Sequence, residues 1–103
     1  MNISKKETDE KITIILEGRL DKLSSPILDE AMKKELAKKK DIIIDFKNLV
    51  YISSAGLRIL IASEKELKSI GKTLEIINVN DDIMTILNVT GFIYILNIKG
   101  TSK

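Results

Sequence analysis

The chain has no cysteine, no histidine and no tryptophan among its 103 residues. Without cysteine and histidine the usual zinc sites cannot form. Ser-His-Asp triads and Cys-His pairs are excluded too, which closes the commonest routes to an activated nucleophile. Lack of cysteine suits a reducing compartment. There is a single proline, Pro26, and the aromatics are limited to Phe46, Tyr51, Phe92 and Tyr94. No apolar run approaches the roughly 20 residues needed to cross a bilayer. The opening MNISKKETDEK has no apolar core of the kind a signal peptide carries. Nor does charge of one sign dominate: 17 basic residues stand against 15 acidic ones, net +2. That balance gives no general pull toward nucleic acid or an anionic membrane. The exclusions lead to the expectation of a cytoplasmic chain with no membrane insertion, one domain over residues 1–103, and no Cys/His metal site.

What is present is isoleucine and leucine in patterned blocks. The central block is Asp41 to Gly71, DIIIDFKNLVYISSAGLRILIASEKELKSIG. Ile42, Ile43 and Ile44 form a β-branched run that suits a strand covered on both faces. A helix then begins near Ser53 or Ser54. Leu57, Leu60, Ile61, Leu67 and Ile70 recur along it at helical spacing, and Gly71 is its stop. Two hydroxyls therefore sit where a buried strand hands over to a helix. In open α/β sheets that edge is where ligands and partners meet the protein.

Around this block the chain alternates. Residues 3–5 and Ile12–Glu17, bounded by Gly18, read as a hairpin. Gly18-Arg19-Leu20-Asp21 crosses to a helix that starts at Ser25-Pro26. Its apolar face is Ile27, Leu28, Ala31, Met32 and Leu36. Lys33, Lys34 and Lys38–Lys40 lie on the other face or in the last turn. Those lysines read as a solvated face, not a nucleic-acid patch, because no aromatics interleave to stack bases. Thr73–Val79 is a further strand. Asn80 or Asp81 caps a short helix with Ile83, Met84 and Leu87 inward, closed by Gly91. Phe92–Ile98 is the expected last strand, and Gly100–Lys103 a frayed tail. The order β-β-α-β-α-β-α-β predicts an α/β fold: a mixed, mostly parallel sheet with helices packed against it.

Catalytic motifs are scarce. Gly71-Lys72-Thr73 resembles the end of a P-loop, but the required earlier glycine is Glu66, and the stretch follows a helix instead of a strand. Asp21, Asp41 and Asp45 flank strands without companion carboxylates. Asp45 is expected to satisfy backbone donors at a strand end, and Asp21 to brace the loop after the second strand. Tyr51-Ile52-Ser53-Ser54-Ala55-Gly56-Leu57 remains. One hydroxyl suffices to cap a helix. Here there are two, and the small residues of the turn leave the hydroxyls sterically open to another protein.

Residues 45–60, DFKNLVYISSAGLRIL, resemble the signature of the STAS domain as found in bacterial anti-sigma factor antagonists. Gly18-Arg19-Leu20-Asp21 is similar to that family's Gly-x-Leu-Asp turn. Gly71-Lys72-Thr73-Leu74 and IMTILNVTGF at 83–92 match further passages in the right order. The resemblance implies a non-enzymatic regulator, needing no cofactor or metal, that binds an anti-sigma factor with serine kinase activity and so frees a sigma factor. It implies phosphorylation at Ser54, with Ser53 the alternative acceptor, release of the partner on phosphorylation, and reversal by a serine phosphatase. Partner contacts are expected from Asp21, Ser24, Tyr51, Ser53, Ser54, Ala55, Gly56, Leu57 and Arg58. Phosphorylated members commonly carry Asp just before the acceptor; this chain carries Ser53. The rival expectation is a constitutive STAS scaffold, or a regulatory subunit of a lipid-transport ATPase or of a chemotaxis-like or stress-signalling complex, with no phospho-switch.

Overall fold

The computed structural model describes residues 1–101. The elements in chain order are β1 (Asn2–Glu7), β2 (Lys11–Leu20), α1 (Ser25–Leu36), β3 (Asp41–Ile52), α2 (Ser54–Ser69), β4 (Leu74–Val79), α3 (Asp81–Thr90), a 3-10 turn (Phe92–Tyr94) and β5 (Ile98–Thr101). The five strands lie in sequence order across one sheet. β1 is antiparallel to β2, and every later pairing is parallel. The expected mixed, mostly parallel sheet is what forms.

Each parallel step moves one strand in the same direction. Right-handed crossovers then bring the connecting helices to one face. Register shows how that face becomes the core. Ile12, Ile42 and Leu74 align in one row; Ile14, Ile44, Ile76 and Ile98 align in the next but one. The β2, β3 and β4 members of these rows are at most 1% exposed, and they share a single cluster with Leu28 and Met32 of α1, Leu57, Leu60 and Leu67 of α2, and Ile83 and Leu87 of α3. Ile15, Ile43 and Ile77 point the other way and are only half-buried. The sheet is thus helix-covered on one face, not on both as the Ile42–Ile44 run suggested. Alternation along β2 and β3 is the signature of that one-sided packing.

Other expectations are corrected at element ends. β1 and β2 outrun their predicted bounds, and β2 continues through Gly18 to Leu20. Ser25 is not the cap of α1. Ser24 holds that position without a side-chain cap bond, and Ser25 is the first helical residue. Ile27 is 52% exposed, because it projects off the side of the apolar face, and Ile70 is exposed past the end of α2. Phe92–Ile98 is not a strand: Gly91 takes the left-handed conformation (φ 80°), the chain turns through Phe92–Tyr94, and β5 begins only at Ile98. Gly100 and Thr101 therefore belong to β5 and are not frayed, while Ser102 and Lys103 lie outside the described residues.

The lysines after α1 have a definite task. α1 ends at Leu36, so Lys38 and Lys40 lie beyond it. Their ammonium groups reach the Glu7 carboxylate at 2.8 and 2.9 Å. Glu35, buried on α1, accepts from Lys5 at 3.2 Å and pairs with Lys38 at 2.9 Å. Hydrogen bonds from Lys38 and then Lys40 hold the Glu7 pKa down at about 2. The hairpin is thereby tied to the α1–β3 connection.

Candidate functional site

β3 is longer than its neighbours need. Opposite β2 it carries an extra residue twice: Ile15 pairs Asp45 but Glu17 pairs Asn48, and Gly18 pairs Leu49 but Arg19 pairs Tyr51. These are β-bulges, which re-aim a strand. Pairing with β4 stops at Asp45. From there β3 overhangs, held by β2 alone among strands. Asp45 fixes the departure point, accepting from the Lys47 amide at 2.8 Å and from Asn78 Nδ2 at 3.0 Å. It meets a backbone donor as expected, though in mid-strand and not at a strand end. Asn80 Nδ2 donates to the Leu49 carbonyl at 3.0 Å while its Oδ1 caps α3 through the Ile83 amide. Asp41, at the other end, accepts from the Thr73 amide.

The overhang delivers the serine turn. The Ser53 amide donates to the Leu20 carbonyl at 2.8 Å, tying the start of α2 to the end of β2. Ser53 has extended backbone and is the N-cap; its Oγ accepts from the Gly56 amide at 3.4 Å, and its carbonyl from the Leu57 amide at 3.0 Å. Ser54 is the first helical residue and is exposed. The two serines therefore divide the work. Ser53 satisfies the helix end, and the Ser54 hydroxyl is left facing solvent. Gly56 is buried against β2: a Cβ there would stand 2.4 Å from Leu20 Cγ and 2.6 Å from Cδ2. Only a residue without a side chain lets the helix start this close to the strand.

The neighbouring loop is rigid. Asp21 Oδ1 accepts from the amides of Leu23 and Ser24, both at 3.0 Å. The Ser24 hydroxyl donates to the Arg19 carbonyl at 2.7 Å and accepts from the Asp21 amide at 2.9 Å. The Asp21 carboxyl is held below its ordinary pKa chiefly by the Ser24 amide, with the Ser24 hydroxyl, the Leu23 amide and Arg19 adding to it. Asp21 braces the loop as its position suggested. Arg19 lies over the Tyr51 ring, 4.3 Å from the centroid, with Nε 3.8 Å from Asp21 Oδ2.

Of the nine candidate contact residues, Ser54 and Arg58 are exposed, and Asp21, Tyr51, Ser53 and Ala55 are partly exposed. Ser24, Gly56 and Leu57 are buried and act as supports. The sequence reading placed contacts on the Asp21–Ser25 loop without singling out Leu23, and gave no site role to Arg19 or Val50. Leu23 is 88% exposed on the braced loop and Val50 is 64% exposed at the second bulge. An apolar residue inside a polar turn was the available signal for Leu23; nothing in the sequence marks the bulge. Met1, Arg19, Leu23 and Ile27 line a shallow open depression beside the turn. Among the described residues no group of three or more carboxylates gathers to hold a metal ion, and no helix is long and apolar enough to cross a membrane.

The chain belongs to the STAS domain family, whose model matches residues 2–103. It is 25% identical over 103 residues to the anti-sigma-B factor antagonist of Bacillus subtilis, covering 100% of this chain and 94% of that protein. The anti-sigma-B factor antagonist of Listeria monocytogenes is 27% identical over 103 residues, covering 96% and 90%. Among solved structures, an anti-sigma factor antagonist from Mycobacterium paratuberculosis superposes with TM-score 0.86 at 19% identity, covering 97% of this chain and 86% of that one. The Bacillus cell fate determinant SpoIIAA in its phosphorylated form superposes with TM-score 0.72 at 17% identity, covering 96% and 92%. The curated relatives are anti-sigma factor antagonists, and the structural neighbours share the fold.

Proposed function

We propose that this protein is a cytoplasmic anti-sigma factor antagonist, not an enzyme. It binds an anti-sigma factor that is also a serine kinase, frees the sigma factor, and is switched off by phosphorylation of Ser54. One observation carries this reading: the cap of α2 is supplied by Ser53, so the exposed Ser54 hydroxyl has no structural duty. In the transfer, Ser54 Oγ bonds to the γ-phosphorus of ATP. The bond from that phosphorus to the β,γ-bridging oxygen breaks, ADP leaves, and the hydroxyl proton passes to a base on the kinase. A serine phosphatase restores the hydroxyl.

The added phosphate carries about −1.5 to −2 charges and three acceptor oxygens. Within the protein it meets a helix start, where the dipole favours negative charge. Across a docked surface it must be desolvated. The switch thus acts on the complex and leaves the fold in place. A loss of about 3 kcal/mol in binding weakens the complex more than a hundredfold. The test mixes the protein with its cognate kinase and ATP and locates phosphate by mass spectrometry. Phosphate on Ser54, with Ser54→Asp binding poorly, supports the proposal. No modification of either serine, with Ser54→Asp binding as tightly as wild type, sinks it. A stable complex with an ATP-binding cassette subunit instead would favour the constitutive scaffold.

A further inference from the structure

Deepening that reading, we infer that Arg58 is the positioning residue for the phosphorylated state: it swings from the docking surface onto the phosphate of Ser54, one helical turn before it. α2 is a regular helix from Ser54 to Ser69. Residues four apart on a helix are neighbours, with Cβ atoms about 5–6 Å from each other. Arg58 is exposed and forms no ion pair among the described residues. Its neighbours three and four positions away along α2 are Ser54, Ala55, Ile61 and Ala62, all uncharged. The only one able to acquire negative charge is Ser54. The first turn of α2 also holds no acidic residue to compete for the guanidinium. A guanidinium meets phosphate oxygens through a planar fork, a stronger contact than a point charge makes.

The same geometry separates the two serines. At 3.6 residues per turn, Arg58 lies about 40° around the helix from Ser54, whereas Ser53 stands outside the helix with extended backbone and its Oγ bonded to the Gly56 amide. A phosphate on Ser53 lacks that i,i+4 placement and would displace the cap. Phosphorylation of Ser54 then does two things. It adds an anion at the docking surface and withdraws a cation from it.

The experiment installs phosphoserine at position 54 during synthesis of the full chain and follows its second ionisation by phosphorus NMR. The comparison is among Arg58, Arg58→Gln and Arg58→Lys, with phosphoserine at position 53 as a further arm. With Arg58 present the phosphoserine-54 pKa is expected about 0.3 pH unit or more below that of Arg58→Gln at low salt. Arg58→Lys restores part of the shift, and about 0.5 M salt removes most of it. Phosphoserine at 53 titrates alike with Arg58 or Gln. Identical curves for Arg58 and Arg58→Gln, or an equal shift at position 53, overturn the inference. No kinase is used, so the two ideas fail separately. An Arg58-dependent shift on a serine that the kinase never modifies removes the proposed function and keeps the pairing.

Discussion

Where β2, β3 and β4 finish, the molecule is held together mainly by hydroxyls, backbone groups and one glycine, with the Asp21 carboxylate bracing the loop. Where the same strands begin, it is held by charge. At the first end Ser53 meets Leu20, Ser24 meets Arg19, and Gly56 lies flat on Leu20. At the second, Glu7 and Glu35 gather Lys5, Lys38 and Lys40. The contrast is instructive. Contacts among short groups, most of them uncharged, tolerate little displacement, and they surround a hydroxyl that stays free for chemistry. The cluster of Glu7, Glu35 and three lysines tolerates movement and responds to pH and salt, and it lies at the opposite end of the strands from the serine turn.

The sharpest way to break the contrast is through Leu20. Leu20→Ala empties a fully buried site under Gly56 and is expected to cost about 2–5 kcal/mol in urea unfolding. Gly56→Ala overpacks the same contact and should cost about 1–3 kcal/mol. The double variant should cost less than the sum, because the smaller side chain leaves room for the added methyl. Strict additivity would mean that the close approach is not what constrains position 56. Next come the serines. Ser53→Ala loses the cap and should cost about 0.5–1 kcal/mol, whereas Ser54→Ala should stay within about 0.5 kcal/mol of wild type. Equal losses would show that the two hydroxyls share the structural duty.

At the charged end the effects are smaller and vary with pH. Glu7 has a folded pKa of about 2 against an ordinary 4.5. Its contribution is therefore complete above the ordinary value and is lost as pH falls toward 2. The stability gap between wild type and Glu7→Gln should be widest at neutral pH and shrink between about pH 4.5 and 2; a pH-independent gap would remove the ion pairs as its cause. Glu64 has the opposite sign. Burial raises its pKa, against the pull of Lys68, and its Oε2 is enclosed without a hydrogen-bond partner among the described residues. The charged form is disfavoured in the folded state, so Glu64→Gln should stabilise slightly at neutral pH. The gain should fade as acid protonates the wild-type carboxyl.

Much of the first end was legible in the residues. Ser-Ser-Ala-Gly announced a helix start, and alternating strands and helices announced the sheet. Which serine caps and which stays free was not legible. That division depends on the Ser53 amide reaching the Leu20 carbonyl across 33 positions of chain, a contact no local pattern encodes. The bulges of β3 were hidden for the same reason: an extra residue shows only against a partner strand. At the second end the lysines after Leu36 read as helix surface, because nothing near them in sequence revealed that Glu7 would be folded onto them. Phe92–Ile98 misled by composition. Its apolar side chains suit a strand, but the left-handed turn at Gly91 sends the chain into a 3-10 turn first.

The overhang of β3 has a consequence for motion. From Phe46 to Ile52 the strand has a partner strand on one side only, while Phe46, Leu49 and Ile52 stay buried in the core and Asn80 holds the Leu49 carbonyl. Amides on its unpaired edge should exchange deuterium faster than those of the central rows. A protein gripping Ser54 would shield that edge, and slowed deuterium uptake along the overhang would register the grip.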